Sequence, residues 1–245
     1  RIPNLLHKSV PVGKDDNENK VVRKNGEIKK PAFDLKHHNE VIEKLGLANF
    51  ESAAKNSGNG FYYLLGDLAL MELALQRFAI DLIIKKGFTL IEPPLMLRKK
   101  SYEAVTDLGD FETMMYKIEN EDLYLIATSE HPIAAFHAGH TFKEGELPKK
   151  FVGISPCFRK ELGAHGVDEK GLFRVHHFNK VEMFVFSNQK DSWKIHEEML
   201  ANAEEVLKKL KLPYRVVNVC TGDMGIVASK KYDLEVHMAK ENEYK

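Results

Sequence analysis

The chain has 245 residues, 43% of them apolar and 29% charged, with lysine plus arginine and aspartate plus glutamate balanced at 36 each. That length suits one large domain or two small ones, and the apolar share is enough for a real core. The charge balance excludes a global pull toward nucleic acid or an anionic membrane, and leaves room only for a local basic face.

The first residues, RIPNLLHKSVPVG, contain no apolar signal region. Residues 14–30, KDDNENKVVRKNGEIKK, are polar and turn-prone and read as an exposed loop or ribbon. Val41, Ile42, Leu45 and Leu47 predict a helix over 39–55, closed by the Gly/Asn/Ser break at 56–60. A strong helix is expected over 67–86, with Asp67 as N-cap and Gly87 as the stop after Lys85 and Lys86. Its polar residues Glu72, Gln76, Asp81 and Lys85 recur every four or five positions. They leave a narrow wet stripe on an apolar cylinder, which suits packing against a core on one side and a second subunit on another. The same charges argue against a membrane-spanning helix, so no membrane partner is expected.

Residues 88–97, FTLIEPPLML, read as extended, with Pro93-Pro94 keeping that part off a central ladder. A short helix over 102–107, a strand over 123–127 and a helix over 130–137 follow. Trp193, Ile195, Met199, Ala203, Val206 and Leu210 predict a second long helix over 191–210, and 214–219 and 232–236 are strand candidates. There is no internal repeat. Two long helices among long antiparallel-type connections give an α+β fold class. Cys157 and Cys220 stand in apolar, strand-like surroundings and read as buried thiols of a reducing compartment. The eleven histidines show no HExxH or CxxC…H spacing, so no metal site is assigned.

Residues 155–186, SPCFRKELGAHGVDEKGLFRVHHFNKVEMFVF, carry the chemistry. Side chains alternate along a strand. If 158–161 is extended, Arg159 and Glu161 share a face. On the next strand Phe178 and Glu182 share one, with Arg174 in phase. A hairpin would merge them into a platform of two cations, two carboxylates and a ring. Guanidinium groups pair with carboxylate and phosphate, a phenyl face stacks on a purine, and carboxylates accept from ammonium, hydroxyl or amine. The loop 162–172, with Gly163, Gly166 and Gly171, could close over a ligand. The same spacing also fits an ordinary long hairpin with solvated charges.

The pattern Phe158-Arg159-x-Glu161, a loop, then Arg174-x-x-x-Phe178 resembles the second motif of class II aminoacyl-tRNA synthetases. Lys86-Gly87-Phe88-x-x-Ile91-x-x-Pro94-Leu95-Met96 is similar to their first motif, at the dimer interface. Ala127-Thr128-Ser129-Glu130, the pair Phe178 and Glu182, and the opening Arg1-Ile-Pro-Asn-Leu-Leu-His resemble seryl-tRNA synthetases in particular. The resemblance implies an antiparallel sheet flanked by helices, ATP-dependent activation of L-serine to seryl-adenylate, and transfer to tRNA(Ser). It implies that Arg159 holds the serine carboxylate and the α-phosphate. Glu161 would accept from the adenine amine, Val175 line the adenine site, Phe178 stack on the ring and Arg174 meet the γ-phosphate. Thr128 and Glu130 would fix the serine ammonium, and Glu182 its hydroxyl. Lys180, on the same strand and only two residues away, is expected to leave Glu182 unpaired, so that its removal does little.

The resemblance further implies ATP with Mg²⁺ as cofactors, a homodimer through residues 87–94 and a cytoplasmic location. It makes 1–245 a partial catalytic domain, with 1–35 a lead-in segment and polar loop and 36–245 the sheet-and-helix core. The tRNA arm, the metal-binding glutamate and the third motif of the family are expected outside the chain. A shortened non-catalytic dimerisation or regulatory paralogue, and an amino acid:carrier-protein ligase, are the alternatives.

Overall fold

The computed structural model describes residues 4–161 and 171–245. In chain order the elements are β1 (Lys20–Asn25), α1 (His38–Lys44), β2 (Ala48–Asn49), α2 (Phe50–Ser57), β3 (Tyr63–Leu64), α3 (Gly66–Ile84), β4 (Thr89–Ile91), β5 (Met96–Leu97), α4 (Lys99–Val105), α5 (Leu108–Phe111), β6 (Tyr124–Leu125), α6 (Glu130–Phe136), β7 (Lys149–Phe158), β8 (His177–Phe186), α7 (Ser192–Lys209), β9 (Tyr214–Asn218), β10 (Tyr232–Met238) and β11 (Glu243–Tyr244). The chain divides into two compact units, one of residues 1–35 with 194–245 and one of residues 36–193.

The first unit is an antiparallel sheet in the order β1-β9-β10-β11. The polar ribbon is its edge strand, all six residues of β1 being exposed. Lysines and an arginine there blunt an edge that would otherwise template pairing. Leu200 and Leu207 of α7 pack on Tyr214, Val216, Tyr232, Leu234 and Val236. Each such side chain, once buried, contributes about 1.5–3 kcal/mol. Inside this packing Glu204, 4% exposed, accepts from Arg23 Nε at 3.0 Å and from Tyr214 Oη at 2.8 Å, and Arg23 Nη2 closes a second bond at 2.5 Å.

The second unit holds a three-stranded sheet in the order β4-β7-β8, with the ten-residue strands β7 and β8 in unbroken antiparallel register from Lys149 opposite Phe186 to Phe158 opposite His177. The pairing of β4 with β7 is parallel, and the chain between them is long enough to make the crossover a parallel pair requires. Leu97, Tyr102, Leu108, Met115, Tyr124 and Ile126 form a core under β5, β6 and α4.

Two local expectations differ from what is observed. The single helix over 39–55 is two, because Gly46 at φ +67° ends α1 and Asn49 caps α2 by accepting from Ser52 N at 2.8 Å. Asp67 is not the cap of α3; Leu65 is, with no side-chain bond, and Asp67 lies in the first turn, where the helix dipole favours it. Gly87, at φ +84°, does stand just past the end of that helix. Cys157 and Cys220 are buried and unpaired.

Candidate active site

The site grows from the β7–β8 ladder. Phe178, Lys180 and Glu182 are two residues apart and therefore share a face, opposite Cys157, Ser155 and Gly153 respectively. Gly153 is where the face opens. A Cβ there would lie 2.7 Å from Ile133 Cδ1 and 2.8 Å from Ser129 Oγ, so only glycine lets the segment 127–133 descend onto the sheet. That descent brings a set of donors onto one carboxylate. Glu182 Oε2 accepts from Thr128 Oγ1 at 2.6 Å, Ser129 Oγ at 3.0 Å and Glu130 N at 3.0 Å. Glu182 Oε1 accepts from Lys180 Nζ at 2.8 Å, and the same ammonium reaches Thr128 Oγ1 at 2.8 Å.

The sequence expectation for Lys180 is therefore corrected. Two residues on one strand are on one face, and the ammonium lies against the carboxylate that it was expected to leave alone. Burial works to raise the Glu182 pKa, but Lys180 and the hydroxyls of Thr128 and Ser129 outweigh it and hold the group below the usual carboxylate range. Glu182 is thus an anion with its lone pairs directed by neighbours. Glu130 behaves in the opposite way. It is open to solvent at residue level, yet surrounding protein atoms raise its pKa and the Glu182 charge adds to the rise, against Lys180 and Arg159. Its carboxylate accepts no hydrogen bond among the described residues. His131, next in sequence and 5% exposed, is pushed down to about 4 by burial, so its ring is neutral at pH 7.

Arg159 stands one residue beyond the end of β7. Its Nε donates to the Ala127 carbonyl at 3.1 Å, and its guanidinium lies 5.3 Å from the centroid of the Phe178 ring. The cation is thereby carried over the same face as Glu182. Glu161 and Arg174 form a second group. The expected strand alternation does not apply to either. Glu161 is in the left-handed region at φ +43°, and Arg174 precedes the start of β8. They pair with each other at 2.8 Å, with Arg174 the more exposed partner. Val175 is buried beside them in sequence. Of the loop over 162–172, Gly163, Gly166 and the question of loop order lie outside the described residues; Gly171, at φ +90°, lies where a Cβ would meet the His38 ring 2.3 Å away.

Two participants escaped the sequence reading, Lys180 and Ser129. Period two alone would have found Lys180, since it places 178, 180 and 182 together. Nothing local marks Ser129, whose role depends on the missing side chain at Gly153. Among the described residues no three His, Cys, Asp or Glu side chains gather as a metal cage.

A profile of the tRNA synthetase class II core domain (G, H, P, S and T) matches residues 112–244, more than half of the chain. The chain belongs to the class II tRNA synthetase core family. Within it, the chain is 60% identical over its whole length to the serine–tRNA ligase of Methanocorpusculum labreanum, and spans 58% of that relative's length. It superposes over its whole length on the seryl-tRNA synthetase of Pyrococcus horikoshii solved with ATP, at a TM-score of 0.97 and 47% identity, covering 59% of that chain. The serine–tRNA ligase of Naegleria fowleri solved with AMP matches 99% of this chain, and 59% of its own, at a TM-score of 0.94 and 41% identity. The class II fold, with antiparallel sheets flanked by helices, is thus that of this chain, and two of its structural relatives hold an adenine nucleotide.

Proposed function

We propose that residues 1–245 are part of the catalytic domain of a serine–tRNA ligase, which activates L-serine with ATP and transfers it to tRNA(Ser). The observation that carries this reading is the ionised Glu182 amid Thr128, Ser129 and Lys180, in a chain alike over its whole length to serine–tRNA ligases. An anion with aligned lone pairs is what a small hydroxyl substrate needs. Glu182 Oε1, which among the described residues accepts from Lys180 alone, keeps one acceptor position that alanine, lacking the hydroxyl, would leave unfilled, and a site built to hydrogen-bond a hydroxyl rejects the analogue that lacks it.

In this reading the serine hydroxyl donates to Glu182 while Thr128 and Glu130 receive the ammonium. Arg159 bridges the serine carboxylate and the α-phosphate. The carboxylate oxygen attacks the α-phosphorus, a new carboxyl–phosphorus bond forms, and the bond from the α-phosphorus to pyrophosphate breaks with its electron pair leaving on pyrophosphate. No side chain is acylated. Catalysis is positioning and charge neutralisation, which the preset Arg159 supplies. Phe178 offers its ring to adenine beside Val175. Glu161 and Arg174, which satisfy each other without ligand, separate to take the adenine amine and the γ-phosphate. Mg²⁺ would accompany ATP, but the described residues gather no cage for it.

The reading includes a homodimer. Leu70 and Leu73, 63% and 59% exposed, with Met71, Leu75 and Ile84, make an apolar stretch along α3, continued by Leu90, Leu95 and Met96. A second copy of the same surface would cover it. A cytoplasmic location is supported by the two buried unpaired thiols and by likeness to the Naegleria protein, which is described as cytoplasmic. No described helix is long and apolar enough to cross a membrane.

The deciding experiment is serine-dependent ATP–pyrophosphate exchange by the full-length protein, with alanine and threonine as controls. Exchange with serine alone is expected. A folded protein that exchanges equally with alanine, or not at all, overturns the reading.

A further inference from the structure

The β7–β8 ladder ends at the pair Phe158–His177, one residue short of the position where Arg159 must be aimed. In an antiparallel ladder a hydrogen-bonded pair exchanges two N–H···O=C bonds. Arg159 and His176 make only one of them through the backbone, Arg159 N donating to the His176 carbonyl at 3.0 Å. The reciprocal donor is diverted, because His176 N donates instead to the Gly60 carbonyl at 2.8 Å. The ring replaces it. His176 Nδ1 lies 2.9 Å from the Arg159 carbonyl oxygen. With the proton on Nδ1, the ring donates to that oxygen, which can only accept. Tyr116 Oη, 2.8 Å from the same nitrogen, is in reach of that N–H as a second acceptor.

The ring is itself held. Phe61 stacks on it at 5.3 Å with the planes 13° apart. Gly60 lies beneath it so closely that a Cβ would fall 2.2 Å from His176 Cδ2, and its φ of +80° disfavours any other residue. An imidazole ring, a glycine and an aromatic are therefore assembled around the backbone of one arginine that lies outside the strand.

We propose that His176 is the positioning residue for Arg159: its carbonyl and its Nδ1–H clamp both backbone groups of Arg159 and thereby aim the guanidinium at the α-phosphate. The clamp also keeps Arg159 Nε on the Ala127 carbonyl, so the cation and the Thr128–Glu182 group are referred to one frame. The inference rests on the reading of Arg159 given above and deepens it.

The test uses three variants of the full-length protein. His176→Phe keeps a flat ring and removes the donor. His176→Asn places an amide N–H near the Nδ1 position. Gly60→Ala displaces the ring, its Cβ falling 2.2 Å from Cδ2 and 2.9 Å from Nε2, without removing a polar atom. Pyrophosphate exchange should show kcat falling on the order of 10–100-fold in His176→Phe and Gly60→Ala, with KM for serine and ATP moving less than about threefold, since misplacement of a group acting on the transition state costs kcat. His176→Asn should recover to within about threefold of the parent. A second readout is independent of the substrate. In arginine-labelled protein, the Arg159 Nε–H resonance should be dispersed by its bond to Ala127 and by the Phe178 ring, collapse in His176→Phe and persist in His176→Asn. An unmoved Arg159 resonance in His176→Phe overturns the proposal, as does an Asn variant no better than Phe. If the parent shows no serine-dependent exchange, the functional reading fails, and the resonance test still decides the role of His176.

Discussion

Two glutamates, the buried Glu204 and the half-buried Glu182, are held in contrasting ways. Each has a cation and at least one hydroxyl on it, and each is kept below the usual carboxylate range, Glu204 chiefly by Arg23 and Glu182 by Lys180, Thr128 and Ser129 against the cost of burial. Glu204 is a closed account of charge: one guanidinium, one carboxylate and the Tyr214 hydroxyl, on a helix and two strands of the first unit. Glu182 belongs to a larger set in which two carboxylates, Glu130 and Glu182, face two cations, Lys180 and Arg159. One of those carboxylates, Glu130, accepts no hydrogen bond among the described residues, and one of the cations, Arg159, is engaged through Nε and a ring face. Matched ions hold a fold together. In the proposed reading, a set left with an unmatched carboxylate and a directed guanidinium would receive a zwitterion and a phosphate.

That contrast can be broken by substitution. The largest effect is expected from Arg159→Ala, which should lower serine-dependent exchange on the order of 10²–10³-fold or more, because a preset charge at the reacting centre is lost. Retained exchange would show that the cation is not where charge develops. Glu182→Ala should come next, lowering kcat/KM for serine on the order of 10²-fold and narrowing the preference for serine over alanine. An unchanged ratio of the two amino acids would remove Glu182 from the hydroxyl.

Lys180→Met should have a smaller and pH-dependent effect. With its ammonium gone, burial is less opposed and the Glu182 pKa rises. The acid limb of the exchange profile should move to higher pH, so that exchange falls off earlier than in the parent as pH is lowered. A profile that keeps its acid limb would leave Lys180 a bystander. In the first unit Arg23→Ala should do the reverse of these three: lower unfolding stability by about 1–3 kcal/mol, the scale of hydrogen bonds to a charged group, and leave the KM for serine unchanged. Urea titration and exchange kinetics on the same sample would check both halves.

His131 gives the smallest and most gradual effect. Folded, its pKa is pushed down to about 4 from an ordinary 6.5, so the unfolded chain takes up a proton first as pH falls. Its contribution to stability is complete above pH 6.5 and is lost as pH falls toward 4. His131→Gln should flatten the stability profile across that window in denaturant titrations; an unaltered slope would assign the dependence elsewhere.

Much of this arrangement is readable along the chain. Helical spacing foretold α3 and α7, alternation foretold β8, and the motif residues 159, 161, 174, 178 and 182 could be singled out before any coordinates, whereas the extended segment expected over 158–161 begins where β7 ends. The errors fall where local periodicity stops being the governing constraint. Gly46 splits a helix that apolar spacing joined, since backbone conformation outranks pattern at that position. Glu161 and Arg174 lie beyond the strands whose alternation was used to align them, and meet through an ion pair instead. Lys180 shares the face of Glu182 by period two, and its ammonium takes the carboxylate.

The sequence by itself determined the long helices, the family and the identity of the groups on the sheet face, because these depend on short-range spacing and side-chain chemistry. Only the tertiary structure decided how those groups are paired. Glu182 is met by donors more than fifty positions earlier because Gly153 leaves room for them, and Arg159 is aimed by a ring seated on Gly60, nearly a hundred residues upstream. Such pairings turn on absent side chains and on which backbone donors the ladder leaves over, and neither has a period in the sequence.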